Sequence, residues 1–223
     1  MTRAGSPVSR IDTGILVFPD VEVLDFCGPF EVFACTRLED DDRRESESPF
    51  DIKLIAVDEA EIGLPGWIRA YGGLKVEAHC STRSAPPLDV LVVPGGWGVR
   101  DLLENRALLD WLSGTAASGA LITSVCTGAM LLGQAGLLDG KRATTHWQSL
   151  DWMRASFPGT RVVEDERFVD EGSLITAAGV SAGIDMALHV VERFHGSEVA
   201  RRTMRYMQYH PPGRGVGTTG PEV

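Results

Sequence analysis

The chain has 223 residues, of which 43% are hydrophobic and 23% are charged, as is typical of a folded globular protein and unlike a disordered one. Its formal net charge of −10 at pH 7 argues against a nucleic-acid surface, because phosphate binding needs clustered lysine and arginine. No apolar run reaches the roughly 20 residues that span a bilayer, so no membrane association is expected.

The positions of the cysteines and histidines indicate whether the chain can bind a metal and which cellular compartment suits it. Residues 1–10 are polar and lack the apolar core of a secretory signal. The four cysteines, Cys27, Cys35, Cys80 and Cys126, form no CxxC pair, and the five histidines form no HExxH motif. We therefore expect no metal site, since closed sites need ligands with short spacings. Unpaired thiols indicate a reducing cytoplasm.

Hydrophobic periodicity predicts alternating strands and helices. In chain order these are a strand at 11–18, a loop and helix at 21–36, a charged loop at 37–49, a strand at 50–57, a hairpin-like excursion at 62–80, a strand at 88–94 and a helix at 102–117. Next come a strand at 120–125, a helix at 129–135, a strand at 142–146, a helix at 150–156, strands at 161–164 and 168–177, and helices at 183–194 and 197–209.

This alternation indicates an α/β fold with a mostly parallel, doubly wound, flavodoxin-like sheet covered on both faces. We find no internal repeat and no convincing linker. Residues 11–210 are therefore predicted to form a single domain between a flexible N-terminus, 1–10, and a flexible tail, 211–223.

Cys126 stands at a predicted strand-to-helix junction and is the strongest candidate for a nucleophile. Gly128 and Ala129 allow a sharp turn and a close approach of the helix to the sheet. Such a turn presents a side chain at the carboxyl edge of the strands, where open α/β sheets build their sites. The alternative is that Cys126 is a small core residue, because free cysteines are often buried.

The helix that follows Cys126 favours a thiolate only modestly. Its N-terminal dipole is worth at most about 2 kcal/mol, or about 1.5 pKa units. That is too little to bring the pKa of a thiol from about 8.5 to about 5, so a second group has to help.

Asp25 is the candidate for that second group. It lies between Leu24 and Phe26, just before a Gly-Pro turn. One interpretation is an N-cap of the following helix. The other is that Asp25 faces Cys126 across adjacent strand ends, as a protonated carboxyl donating to sulfur. That pairing predicts a raised carboxyl pKa and a lowered thiol pKa.

The segment 94–98, Pro-Gly-Gly-Trp-Gly, ends a buried strand. Its Gly95 and Gly96 N–H groups are candidates for binding a developing negative charge, with the N–H of Thr127 as a further donor. A plain turn is the alternative.

Four motifs together resemble the ThiJ/PfpI superfamily of class I glutamine-amidotransferase-like folds. They are LDFCGPFEVF at 24–33, VVPGGWG at 92–98, SVCTGAMLLGQAGLLDGKRATTHW at 124–147 and GVSAGIDMALHVVE at 179–192. Within that group the chain looks most like the isonitrile hydratase branch. The same module also forms the sensor half of some AraC-type transcription regulators.

The resemblance implies that Cys126 is the nucleophile, that Asp25 is its acidic partner and that Thr127 binds substrate or water. It implies attack of the sulfur on the terminal carbon of a small isocyanide, and hydration of the resulting thioimidate to an N-substituted formamide. It also implies a homodimer without metal or organic cofactor. Gly95, Gly96, Trp97 and His146 are expected at the substrate or oxyanion site, although His146 has a packing interpretation as well.

Two other functions stay open at this point. The first is a non-catalytic ligand-sensing domain. No helix-turn-helix follows Tyr209, which favours the enzyme and predicts no DNA reading by this chain alone. The second is a glyoxalase- or deglycase-type thiol stress protein, a branch in which glutamate usually replaces the aspartate at position 25. The acidic stretch 37–49 and Cys27 depart from the hydratase pattern.

Overall fold

The computed structural model of the protein describes residues 10–39, 46–57 and 67–211. Its strands are β1 (Ile11–Val17), β2 (Phe50–Ala56), β3 (Trp67–Arg69), β4 (Lys75–Glu77), β5 (Cys80–Ser81), β6 (Val90–Val93), β7 (Leu121–Val125), β8 (Arg142–Ala143), β9 (Arg161–Val162), β10 (Phe168–Asp170) and β11 (Leu174–Ala177). Its α-helices are α1 (Val23–Cys35), α2 (Val99–Leu102), α3 (Arg106–Ala117), α4 (Gly128–Gln134), α5 (Leu150–Ser156), α6 (Ala182–His195) and α7 (Ser197–Met207).

The central sheet has seven strands in the order β10, β11, β7, β6, β1, β2 and β5. Its pairs are parallel except for β10 with β11. Strands β6 and β7 are buried along their whole length, which explains their continuous apolar sequences. One group of helices consists of α1, α6 and α7, and another of α2, α3 and α4. The predicted α/β, flavodoxin-like fold is confirmed.

The carboxyl ends of β1, β6 and β7 meet at one edge of the sheet because these strands are adjacent and parallel. The segments leaving them lead to Asp25, to Gly95 with Gly96, and to Cys126. Three segments that are far apart in the sequence therefore converge at the position where open α/β sheets bind ligands.

The helix predicted at 102–117 begins at Arg106, and Leu102 is the last residue of a separate short helix, α2. Asn105 accepts a hydrogen bond of 2.9 Å from the N–H of Leu108 through its side chain, and it caps α3. Helix α2 ends at Leu102, so the cap breaks a periodicity that looked continuous in the sequence.

The strand predicted at 142–146 ends at Ala143. The next two threonines leave the ladder because their hydrogen bonds involve side chains. The N–H of Thr144 donates to Oγ1 of Thr176 at 2.9 Å, and Oγ1 of Thr145 donates to the carbonyl of Cys126 at 2.7 Å. The chain thereby brings His146 toward Cys126.

Three predicted features lie outside the central sheet and its helices: the hairpin within 62–80, the two chain ends and the charged stretch at 37–49. Strands β3 and β4 form the antiparallel hairpin expected within 62–80, of which 62–66 lie outside the described residues. The predicted flexible ends and residues 40–45 of the charged stretch also fall outside them, apart from positions 10 and 211. Within the described ranges, no helix has the length and apolarity to cross a membrane.

Candidate active site

Cys126 forms a strained elbow between β7 and α4. Its φ angle is 57°, in the left-handed region that costs a non-glycine residue of order 1–3 kcal/mol. The surroundings hold it there. Its N–H donates to the carbonyls of Ala178 at 2.9 Å and Ala177 at 3.2 Å, and its own carbonyl accepts from Thr145.

Two glycines make room for the elbow. A Cβ on Gly128 would lie 2.0 Å from the carbonyl oxygen of Val93, and a Cβ on Gly95 would lie 2.5 Å from the nitrogen of Thr127. Both clashes involve backbone, which cannot move aside. The close approach of α4 to the sheet, expected from Gly128, is therefore present.

Asp25 lies in the first turn of α1 and is not its N-cap, a position that Glu22 occupies without a side-chain bond. The carboxyl is fully buried. Its Oδ2 accepts a hydrogen bond of 2.9 Å from the N–H of Gly95. Its Oδ1 has no hydrogen-bond partner among the described residues, although Asp25 and Cys126 lie close enough to affect each other's pKa. The two side chains are therefore neighbours, as expected, but Asp25 approaches Cys126 from α1 and not from an adjacent strand end, because β6 separates β1 from β7. A hydrogen bond from the carboxyl to sulfur stays a prediction.

Burial raises the pKa of Asp25 from 3.8 to about 7. The hydrogen bond from Gly95 opposes this rise, the nearby charge of Glu22 adds to it, and the contact with Cys126 opposes it slightly. The raised pKa agrees in direction with the sequence-based expectation.

The expectation of a lowered thiol pKa is wrong. Burial, followed by the charge of Asp25, raises the pKa of Cys126 to about 12. The N–H groups of Thr127 and Val180 and the hydroxyl of Thr127 point at the sulfur and lower the pKa, but by less. Desolvation wins because the side chain is only 7% exposed. The resting sulfur at neutral pH is a thiol.

The glycine loop also differs from the expected oxyanion hole. The Gly95 N–H is taken by Asp25, and the Gly96 N–H donates to Oγ1 of Thr127 at 3.0 Å. Because both donors already have protein acceptors, the loop orients the carboxyl and the hydroxyl that flank Cys126.

A cavity of about 390 Å³ opens above the sulfur. Five of the predicted site residues line it: Gly96, Trp97, Cys126, Thr127 and His146. The other two, Asp25 and Gly95, are buried next to the thiol. The structure thus gathers all seven predicted residues at one place, in two layers.

His146 lines the cavity without reaching the sulfur. Its Nδ1 accepts from the N–H of Gln148 at 3.3 Å, and its ring packs so closely on Gly179 that a Cβ there would lie 2.4 Å from Cδ2. Within the described part of the chain it makes no hydrogen bond to Cys126. Its ring is therefore fixed in place and forms part of the cavity lining.

The DJ-1/PfpI family model matches residues 13–193, a span that contains the elbow, the glycine loop and Asp25. The chain belongs to the DJ-1/PfpI family. Its described residues contain no group of three or more histidine, cysteine, aspartate or glutamate side chains able to hold a metal, and they contain no disulfide.

The relatives of this chain include both an enzyme and transcriptional regulators. The chain is 36% identical over 201 residues to an isonitrile hydratase of Pseudomonas putida, covering 90% of this chain and 79% of that protein. It is 36% identical over 132 residues to the HTH-type transcriptional regulator GbdR of Pseudomonas aeruginosa, covering 59% of this chain and 35% of the regulator.

Solved structures agree on the fold. A ThiJ/PfpI family protein from Pseudomonas syringae superposes with a TM-score of 0.76 at 25% identity, covering 98% of this chain and 86% of that one. An AraC family transcriptional regulator from Pseudomonas putida superposes with a TM-score of 0.74 at 22% identity, covering 88% of this chain and 99% of that one. The second likeness shows the fold alone.

Sequence reasoning missed several residues of this DJ-1/PfpI site. Val180, with a φ angle of 41°, points its N–H at the sulfur from the loop before α6. Glu22 and Arg100 line the cavity, as do Gln148 and Ser149. The segment 179–192 resembles a family motif, but a valine between a glycine and a serine carries no local sign of chemistry.

Proposed function

We propose that the chain is a cysteine-dependent enzyme of the isonitrile hydratase type, which adds water to a small isocyanide to give an N-substituted formamide. The observation that carries the proposal is the buried carboxyl of Asp25, which interacts with the Cys126 thiol at the inner end of a cavity. The similarity to the isonitrile hydratase of Pseudomonas putida supports the same reaction.

Asp25 loses its proton at a lower pH than Cys126 does, which suits this chemistry. With the pKa of Asp25 near 7 and that of Cys126 near 12, the pair carrying a single proton keeps it on sulfur. Oδ1 of the ionised Asp25 has no other nitrogen or oxygen partner in the described chain, so it is available as a base. The thiol is activated only as it reacts.

In the first step the sulfur bonds to the terminal isocyanide carbon while Asp25 takes the thiol proton and delivers it to that carbon. The S–H bond breaks, and one C–S and one C–H bond form. The product is a neutral thioimidate, R–N=CH–S, on Cys126. Because Asp25 ends this step ionised again, it is ready for the next one.

In the second step water adds to the thioimidate carbon. Asp25 takes one proton from the water and passes it to the imine nitrogen, which gives R–NH–CH(OH)–S on Cys126. The C–S bond then breaks, the hydroxyl carbon becomes a formyl group, and Asp25 transfers the hydroxyl proton to sulfur. Thr127 is suited to holding the water, since it lines the cavity beside Cys126 and Gly96 orients its hydroxyl. The net reaction is isocyanide plus water giving formamide.

Incubation with cyclohexyl isocyanide and detection of N-cyclohexylformamide tests the proposal. The wild-type protein is expected to turn over, Cys126→Ala is expected to be inactive, and Cys80→Ala, which changes a free thiol on β5, serves as the control. If the native protein forms no formamide from this or other isocyanides, the hydratase proposal fails.

A ligand-sensing domain is the second candidate, and one observation favours it. A thiol whose pKa is raised to about 12 is a weak nucleophile unless its base acts, so the cavity could bind a molecule without turnover. The similarity to the regulators agrees with that role. Saturable binding of an isocyanide without product would support it. For either function we expect a homodimer, which size-exclusion chromatography with light scattering tests.

A further inference from the structure

Arg100 occupies the exposed wall of the active-site cavity and is held there by two aromatic rings. Its guanidinium carbon lies 4.6 Å from the ring centroid of Trp97 and 5.2 Å from that of Trp152. Contacts of this kind are attractive and fix the plane of the guanidinium. The cation is therefore oriented before any ligand arrives.

Arg100 has no acidic partner among the residues that the structure describes. Other arginines of this acidic chain do have one: Arg142, Arg154, Arg167, Arg193, Arg201 and Arg202 each form ion pairs with aspartate or glutamate. A guanidinium that is stacked, oriented and without an acidic partner at the mouth of a cavity has its planar N–H fork available for a carboxylate.

The two ends of the cavity carry opposite charges, with acidic groups at the inner end and Arg100 at the mouth. Cys126 and Asp25 lie at the inner end, where the side chains are 7% and 0% exposed. Glu22 also lines the cavity, and its carboxylate lies close enough to Asp25 for its charge to raise the pKa of that residue. Trp97, beside Arg100, is 60% exposed and lies at the mouth. An anion is repelled from the inner end and attracted at the mouth.

We propose that the substrates of this enzyme are small isocyanides that carry a carboxylate, which Arg100 binds while the neutral isocyanide group points inward to Cys126. The proposal rests on the proposed hydratase function. A cationic substrate is disfavoured, since Arg100 already covers the faces of Trp97 and Trp152 that would bind one.

A series of ω-isocyano carboxylates of increasing length, each paired with its methyl ester, tests the inference. The wild-type protein is expected to prefer the acid over the ester at one length by about 10- to 100-fold in kcat/KM, the range for a charged hydrogen bond. In Arg100→Gln this preference disappears, mostly through a higher KM for the acid. Arg100→Lys retains part of it.

Arg106→Gln is the matched control, because it removes the same charge from an exposed arginine at the start of α3, away from the cavity. It is expected to keep the preference for the acid. Two results would overturn the inference: a wild-type enzyme that favours the ester at every length, or an Arg100→Gln variant that loses activity equally on both members of the pair.

Binding without turnover separates this inference from the hydratase proposal. Titration of Cys126→Ala with N-formyl ω-amino acids, the unreactive products, is expected to show calorimetric binding that Arg100→Gln abolishes. If isocyanides are not turned over but these carboxylates bind through Arg100, the hydratase proposal fails and carboxylate recognition stands. If neutral isocyanides are turned over and the carboxylates do not bind, the hydratase proposal stands and this inference fails.

Discussion

The N–H of Gly95 donates a 2.9 Å hydrogen bond to Oδ2 of Asp25, which lies 70 residues earlier in the chain. This bond leaves Oδ1 as the oxygen without a nitrogen or oxygen partner in the described structure. The glycine loop after β6 thereby orients the carboxyl of α1 beside the thiol that follows β7.

The first prediction concerns the pH dependence of turnover. The reactive form of the pair has lost the Asp25 proton and kept the thiol proton, so kcat/KM for a neutral isocyanide should rise with an apparent pKa near 7. No fall is expected before the range near the thiol pKa of about 12. Initial rates between pH 5 and pH 9 test this, and activity that declines through neutrality would contradict a carboxylate base.

The second prediction concerns stability in Asp25→Asn. The pKa of Asp25 is about 7 in the folded protein, above its ordinary value of 3.8. The contribution of this carboxyl to the free energy of unfolding is therefore fully present below pH 3.8 and is lost as the pH rises through 7. Asparagine keeps an acceptor for Gly95 and carries no charge. The variant should therefore exceed the wild type in free energy of unfolding at pH 8, by up to about 4 kcal/mol, and match it near pH 4.

Denaturant unfolding of both proteins across this pH range measures the difference, with Asp110→Asn, an exposed carboxylate on α3, as the control. A difference that does not depend on pH would mean that Asp25 has the same pKa in the folded and the unfolded protein, and so that burial does not raise it. The same Asp25→Asn variant should lose at least about 100-fold in turnover, since it has no base.

The third prediction concerns thiol reactivity, which separates alkylation from hydration. Alkylation needs a thiolate, and the charge of Asp25 opposes thiolate formation at Cys126. Asp25→Asn should therefore speed the iodoacetamide reaction of Cys126 while it slows hydration. Peptide mass spectrometry of timed samples at pH 8 follows this, with Cys80 as the internal reference thiol. A slower alkylation of Cys126 in the variant would show that the charge of Asp25 does not oppose thiolate formation at Cys126.

The fourth prediction compares two glycine substitutions. In Gly95→Ala the new methyl group would lie 2.5 Å from the nitrogen of Thr127 and 2.9 Å from Cβ of Cys126, so the loop has to shift and the bond to Asp25 weakens. We expect a loss of about 1–3 kcal/mol in unfolding free energy and a large loss of turnover.

Gly114→Ala is the matched control for that comparison. This glycine lies inside α3 with no atom within 4 Å of the added methyl group, so alanine should stabilise the protein by about 0.5–1 kcal/mol and leave turnover unchanged. Thermal or denaturant unfolding of both variants measures the contrast. Equal effects of the two substitutions would show that Gly95 is not sterically required.

The sequence by itself determined the fold class and the position of Cys126 at a strand-to-helix junction. Continuous apolar runs at β1, β6 and β7 specify buried parallel strands, and small residues after Cys126 specify a tight turn, because both depend on local periodicity and size. Parallel strands also bring their carboxyl ends to one edge, so the meeting of Asp25 with Cys126 was predictable.

Only the tertiary structure decided the electrostatics and the partners. The pKa of Cys126 rises because atoms from distant segments exclude water around it, and desolvation of that kind has no signature in the residues next to position 126. The donors of Gly95 and Gly96 go to acceptors 70 and 31 residues away. Arg100 becomes part of the site through stacking on Trp152, which lies on another helix, α5. Contacts between segments far apart in the chain depend on the packing of the whole domain.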